Sequence, residues 1–191
     1  PSVLTHPAVP LAIAGAYGRL HVPRRLLLAG VIASVLPDLD SVGLRLGVPY
    51  GSLFGHRGFS HSLAFAFLLA VAAALAHRRF GSSASAAFAV VLIAAVSHGA
   101  LDAFTNGGLG IAFFSPFSNH RYFFPWHPLV VSPLGVQRFF SEWGLRVIRS
   151  EALWVWLPAS VVAVLGYLIG ATHVGPNPGV QRIASLAADA R

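Results

Sequence analysis

Eight consecutive residues, Gly55-His56-Arg57-Gly58-Phe59-Ser60-His61-Ser62, bring two imidazoles, a guanidinium and two hydroxyls together in a chain of which only 10% is charged. Neutral imidazole is the commonest side-chain metal ligand, and a guanidinium is a natural fork for phosphate or carboxylate. Upstream, Asp38 and Asp40 of Pro37-Asp38-Leu39-Asp40-Ser41 stand two apart in a turn, where one carboxylate can ligate while the other bridges or acts as a base. Downstream, His98 and Asp102 are spaced i, i+4, which puts both on one helix face about one turn apart. These clusters hold three of the six acidic residues of the chain. His6 is a further imidazole that could approach from the N-terminal side. Ser60 reads as the N-cap of the helix that follows, with a nucleophile as the alternative.

The chain has no cysteine, so any metal must be held by nitrogen and oxygen. His6, Asp38, Asp40, His56, His61, His98 and Asp102 are too many for one tetrahedral ion. They suit two or three carboxylate-bridged ions, Zn²⁺ first and Mn²⁺ or Fe²⁺ as alternatives. Two metals about 3.5–4 Å apart are the usual device for phosphoester hydrolysis. Asp38, Asp40 and Arg57 are then the expected catalytic groups, and Arg57, Ser60, Asn119 and Arg121 the expected substrate-binding ones, with the two arginines facing developing negative charge.

The scaffold that positions these groups has a membrane composition. Of 191 residues, 55% are hydrophobic, and the mean hydropathy is +0.70, whereas soluble domains carry about 25% charge. Apolar runs separated by short basic connectors predict an all-α polytopic bundle of about five segments. It forms one integral-membrane domain over 1–175, with a loose tail at 176–191. The segments fall at about 8–20, 26–36, 61–76, 84–104 and 152–171. Pro37 is expected to stop the second, leaving a loop over 41–55. The aromatic-rich connection at 105–150 is long enough to imply a function. Within it Arg138, Glu142, Arg146 and Arg149 share one helical stripe, and Phe140, Trp143 and Val147 another, which predicts an interfacial helix over 137–150. Trp126, Trp143, Trp154 and Trp156 read as interface-belt residues.

Five crossings would place Arg19, Arg24, Arg25, Arg78, Arg79, Arg182 and Arg191 on one side, and the arginine bias makes that side cytoplasmic. All seven candidate ligands and Arg121 then fall together on the opposite, non-cytoplasmic side, although the segments were drawn without reference to them. Residues 1–6 show no charged n-region with a cleavage signal, so no signal peptide is read there. The net charge of +7 suits anionic headgroups or a phosphate-bearing substrate. Arginines scattered singly or in pairs argue against nucleic acid as a partner.

At these residues the chain resembles the family of LexA-binding, inner membrane-associated hydrolases. The resemblance is carried by His6, the Leu36-Pro37-Asp38-Leu39-Asp40 turn, the His56-to-Ser62 core, Ser97-His98 with Asp102, and Ser115-Pro116-Phe117-Ser118-Asn119-His120-Arg121, over roughly residues 6–126. It implies a metal-dependent hydrolase of a prokaryotic inner membrane. That family is distantly similar to zinc-dependent phospholipase C and to helical single-strand nucleases with His/Asp trinuclear zinc sites. The implied reaction is phosphoester hydrolysis, with a phospholipid or lipid-linked phosphate as substrate and membrane lipid as partner.

Two other functions use the same residue types. A metal-ion transporter needs ligands at several depths, whereas these gather at one face. A scaffold with a structural metal would close its site with protein ligands, while an enzyme keeps a coordination position open. No His-Glu-x-x-His helix of a metalloprotease is present.

Overall fold

The computed structural model describes residues 1–173, and among them the regular structure is helical. The elements are α1 (Ala8–His21), α2 (Arg24–Val35), α3 (Ser41–Arg45), α4 (Leu63–Leu75), α5 (His77–Phe80), α6 (Ala84–Ala103), α7 (Val136–Phe139), α8 (Glu142–Glu151) and α9 (Leu157–His173). Only two isolated β-bridges, Thr105 with Leu129 and Ile111 with Tyr122, interrupt this pattern in the described residues.

The centre is α6, against which α2, α4 and α1 pack. Ser83 caps it by accepting from Ala86 N. Its 20 residues span about 30 Å, the thickness of a bilayer core. Ala87, Val90, Val91, Ala94 and Ala95 form a buried stripe at helical spacing, and His98 and Asp102 continue the same stripe to its end. Leu26 and Ala33 of α2 and Ala70 and Ala73 of α4 complete the core. Most of these residues are alanine, so the backbones approach closely, as in membrane helix packing. At the α1/α9 crossing, a Cβ on Gly166 would lie 2.3 Å from that of Ala16. Only glycine fits there.

Three helical stretches are long and apolar enough to cross a membrane: Arg24–Arg45, Ala84–Ala103 and Glu142–Gly170; Ala8–Gly18 and Leu63–Leu75 are shorter apolar helices. All five expected segments are thus helical, and three have membrane-spanning length. Large apolar side chains such as Ile32, Phe67, Ile93 and Leu165 lie exposed on the outer faces, as expected for a surface that lipid covers.

Several expected boundaries move. Pro37 does not end the second segment, because the helix tightens to a 3₁₀ turn over Leu36–Asp40 and runs on into α3. A proline in the first turn of a new helical stretch gives up an N–H that the turn does not need. The expected 41–55 loop therefore begins as helix. Helix α4 starts at Leu63, and its cap is Ser62, which accepts from Phe65 N; the role expected of Ser60 shifts by two residues because Phe59–His61 form their own 3₁₀ turn. The interfacial helix is shorter than 137–150: α7 ends at Phe139, and Ser141 caps α8. Helix α8 then passes into α9 through a π turn at Ala152–Trp156, so it is continuous with the last apolar segment. The expected tail at 176–191 lies outside the described residues.

Candidate metal centre

Four parts of the chain converge at one end of α2 and α6. His98 and Asp102 come from the last turns of α6, Asp38 and Asp40 from the 3₁₀ turn after α2, His56 and His61 from the loop before α4, and His6 from the turn before α1. His98 is oriented across the bundle. Its Nδ1–H donates to Ser34 O at 2.7 Å, in the helix turn to which Pro37 has no N–H to give. That bond leaves the Nε2 lone pair facing the cluster.

The loop from Tyr50 to Phe59 is coiled tightly. A Cβ on Gly55 would meet Pro49 O and Tyr50 O at 2.2 Å, and Arg57 has φ +64°, a left-handed conformation costing roughly 1–2 kcal/mol for a residue with a side chain. Bonds on both sides hold it there. Arg57 N donates to Asp40 Oδ2 at 3.2 Å, and its guanidinium donates to Gly107 O at 2.8 Å, to Thr105 Oγ1 at 3.2 Å and to Asp102 Oδ1 at 3.3 Å.

Asp40 is a hub. Its Oδ1 accepts from His56 Nδ1 at 2.6 Å; its Oδ2 accepts from Ser60 Oγ and lies 3.2 Å from His61 Nδ1. A carboxylate bonded to the Nδ1 of two histidines fixes their tautomers and leaves each Nε2 lone pair available to a ligand. Asp40→Asn is expected to weaken metal retention by about 10–100-fold while leaving every ligand atom present. Equilibrium dialysis against zinc measures it, and unchanged affinity would show that Asp40 orients nothing.

The remaining donors fall into two groups, His6/Asp38/His98/Asp102 and Asp38/His56/His61, each with one donor atom per residue and all of those atoms within 4.8 Å of one another. Asp38 belongs to both groups, and Asp40 to neither. Does a cation fit? His6 Nδ1 and His6 Nε2 are buried without any hydrogen-bond partner, a costly arrangement for polar atoms unless something completes it. His6 Nε2 lies 3.6 Å from Asp38 Oδ2, and its ring stacks on His98 at 3.8 Å. Burial, reinforced by the neighbouring His98, lowers its pKa and keeps it neutral, with a lone pair to offer. Burial acts the same way on His61, but hydrogen bonds to Asp102, Asp38 and Asp40 outweigh it and push its pKa up to about 10. The extra proton lies where a cation would, with His61 Nε2 2.9 Å from His98 Nε2 and 3.3 Å from Asp102 Oδ2. A nitrogen and oxygen donor set of this kind fits Zn²⁺ or a similar ion, and uptake of the ion would release that proton.

The four expected substrate-binding residues are placed differently from one another. The guanidinium of Arg57 is buried and engaged as described. Arg121 donates to the carbonyls of Tyr50, His56, Ser52 and Gly110 at 2.9, 3.0, 3.4 and 3.4 Å, and so ties the aromatic connection to the histidine loop. Ser60 serves Asp40. Asn119 is exposed on the connection.

One polar residue was not singled out from the sequence. Glu151 is buried at the end of α8, where its carboxylate accepts from Ser2 N, from Ser2 Oγ at 2.8 Å and from Thr5 Oγ1 at 2.8 Å. Trp156 Nε1 donates to the same Thr5 Oγ1 at 3.1 Å. The π turn puts positions 151 and 156 on one face, and together they seat the segment that carries His6. The only sequence signal was a carboxylate at the mouth of an apolar helix, since its partners lie 149 and 146 residues away. Trp156, expected to be an interface-belt residue, is thus engaged in the fold.

Comparison with known proteins gives two matches. The family described as YdjM inner membrane protein matches residues 2–174. Inner membrane protein YbcI of Escherichia coli (strain K12) is 41% identical over 163 residues, covering 85% of this chain and 94% of the relative. No solved structure matches.

Proposed function

The chain belongs to the YdjM inner membrane protein family and is integral to the inner membrane, and on that premise we propose that it is a metal-dependent phosphoesterase acting on a phospholipid or lipid-linked phosphate at one membrane face. The observation that carries this reading is the sharing of Asp38 between two groups of converging donors, the arrangement used by two-metal phosphoester hydrolases.

His6, His98 and Asp102 would hold one cation, His56 and His61 a second, and Asp38 would bridge them. When bound, the cations supply Lewis acidity toward a phosphoryl oxygen and acidify a water. The chain's own residues do the positioning. Asp40 holds the imidazoles of His56 and His61, Ser34 O holds His98, and Arg57 holds Asp102. The aromatic connection, fastened by Arg121, covers one flank, and its exposed Phe117, Phe123 and Trp126 give an apolar surface by which a lipid could reach the cluster from the bilayer. An ion pathway is less well supported, because it needs ligands at several depths and these gather at one end of α2 and α6.

The test is metal content by mass spectrometry on detergent-purified protein, with hydrolysis of bis(p-nitrophenyl) phosphate and phospholipid micelles before and after chelation. The expected result is two or more ions per chain and cleavage lost on chelation and restored by zinc. A folded, metal-loaded chain that cleaves no phosphoester would refute the hydrolase; a folded chain that takes up no metal would refute the centre itself.

A further inference from the structure

We propose that a groove between α2 and α4, whose arginine end lies away from the His/Asp cluster, binds one anionic glycerophospholipid, whose phosphate meets Arg25 and Arg79 and whose acyl chain lies along Ile32, Leu36 and Leu69. The groove encloses about 490 Å³ and is walled by apolar side chains except for those two guanidiniums. Along α2 it extends from Arg25 to Leu36, about 16 Å of helix, and Asp38 of the cluster lies about 20 Å from the Arg25 end by the same measure.

Charge selects the occupant. Arg25 stands in the first turn of α2, and Arg79 in α5, which packs on α2. Among the described residues neither arginine has a carboxylate partner, since every ion pair there involves Asp38, Asp40 or Asp102 at the other end. Helix α2 also begins after Pro23 without a side-chain cap or an acidic residue in its first turn. Its opening N–H groups and the positive end of its dipole add to the same field. An apolar channel alone would take any acyl chain, and two guanidiniums alone would take any phosphate. Side by side they call for one molecule with both parts and a net negative headgroup, because the ammonium of a zwitterionic lipid would face two like charges. Basic pockets between membrane helices recognise anionic headgroups in this way.

The experiment is native mass spectrometry of the detergent-purified chain titrated with dioleoylphosphatidylglycerol or dioleoylphosphatidylcholine. Wild type is expected to retain one phosphatidylglycerol in preference to phosphatidylcholine. At about 1 kcal/mol for each arginine, Arg25→Gln/Arg79→Gln should weaken retention about thirtyfold. Ala72→Phe, which fills the groove from its exposed rim and keeps both arginines, should weaken it as well, whereas Arg138→Gln/Arg146→Gln should not. Equal retention by wild type and the double variant, or of the two lipids, overturns the proposal. Competition by glycerol phosphate as effective as that by the whole lipid also overturns it. Should the double variant not fold, Arg25→Gln alone carries the comparison. None of these readouts depends on metal or on hydrolysis.

Discussion

In a chain carrying Asp38→Ala, both cation positions are expected to empty together, and phosphoester cleavage to fall by roughly 10³-fold or more. The size follows from losing several kcal/mol of charge stabilisation at the phosphoryl group. The pattern across variants is the sharper test. Asp38 is the residue common to both donor groups, so its loss should reduce metal content to zero. His98→Ala should disturb the group that also contains His6 and Asp102, and His56→Ala the group that also contains His61. Metal counting on the three purified variants decides the matter. An Asp38→Ala chain that still holds one tightly bound ion would mean that the groups are independent and that no bridge exists.

Arg57→Met is expected to destabilise the protein by about 3–5 kcal/mol, because it leaves the carboxylate of Asp102 buried without its guanidinium partner. In a chain of this size that is a fall of roughly 10 °C in Tm. The sequence suggested a phosphate fork at this position, and a residue that only met substrate would raise KM and leave Tm unchanged. The structure gives the guanidinium to Gly107 O, Thr105 Oγ1 and Asp102 Oδ1. Thermal melts of Arg57→Met beside wild type separate the two roles: an unshifted Tm would return Arg57 to the substrate.

The parts of this centre that could be read from the sequence were those whose spacing is itself a geometry. His98 and Asp102 sit one helical turn apart, so their shared face followed from α-helical periodicity, and the scarcity of acidic residues made the Asp38/Asp40 turn conspicuous. What could not be read depended on turns of other pitch or on distant partners. The 3₁₀ turn at Phe59–His61 moved the cap from Ser60 to Ser62 and freed Ser60 to bond Asp40. A second 3₁₀ turn carried the chain past Pro37 as helix. Spacing in sequence also could not show that Asp40 bonds His56 and Ser60 while Asp38 stands in both donor groups. Glu151 was hidden for a simpler reason: its partners Ser2 and Thr5 stand 149 and 146 residues away from it in sequence.

The seat that Glu151 and Trp156 provide for Ser2 and Thr5 also bears on how the protein is made. His6 leaves the ribosome well before Glu151 and Trp156, the residues that bond its segment. During translation α1, α2, α4 and α6 emerge with the other donors, but the His6 arm lacks its bonds to Glu151 and Trp156 until α8 and the π turn emerge. The His6 donor is therefore seated late, and a nascent chain not yet extended through Trp156 presents an incomplete set of donors.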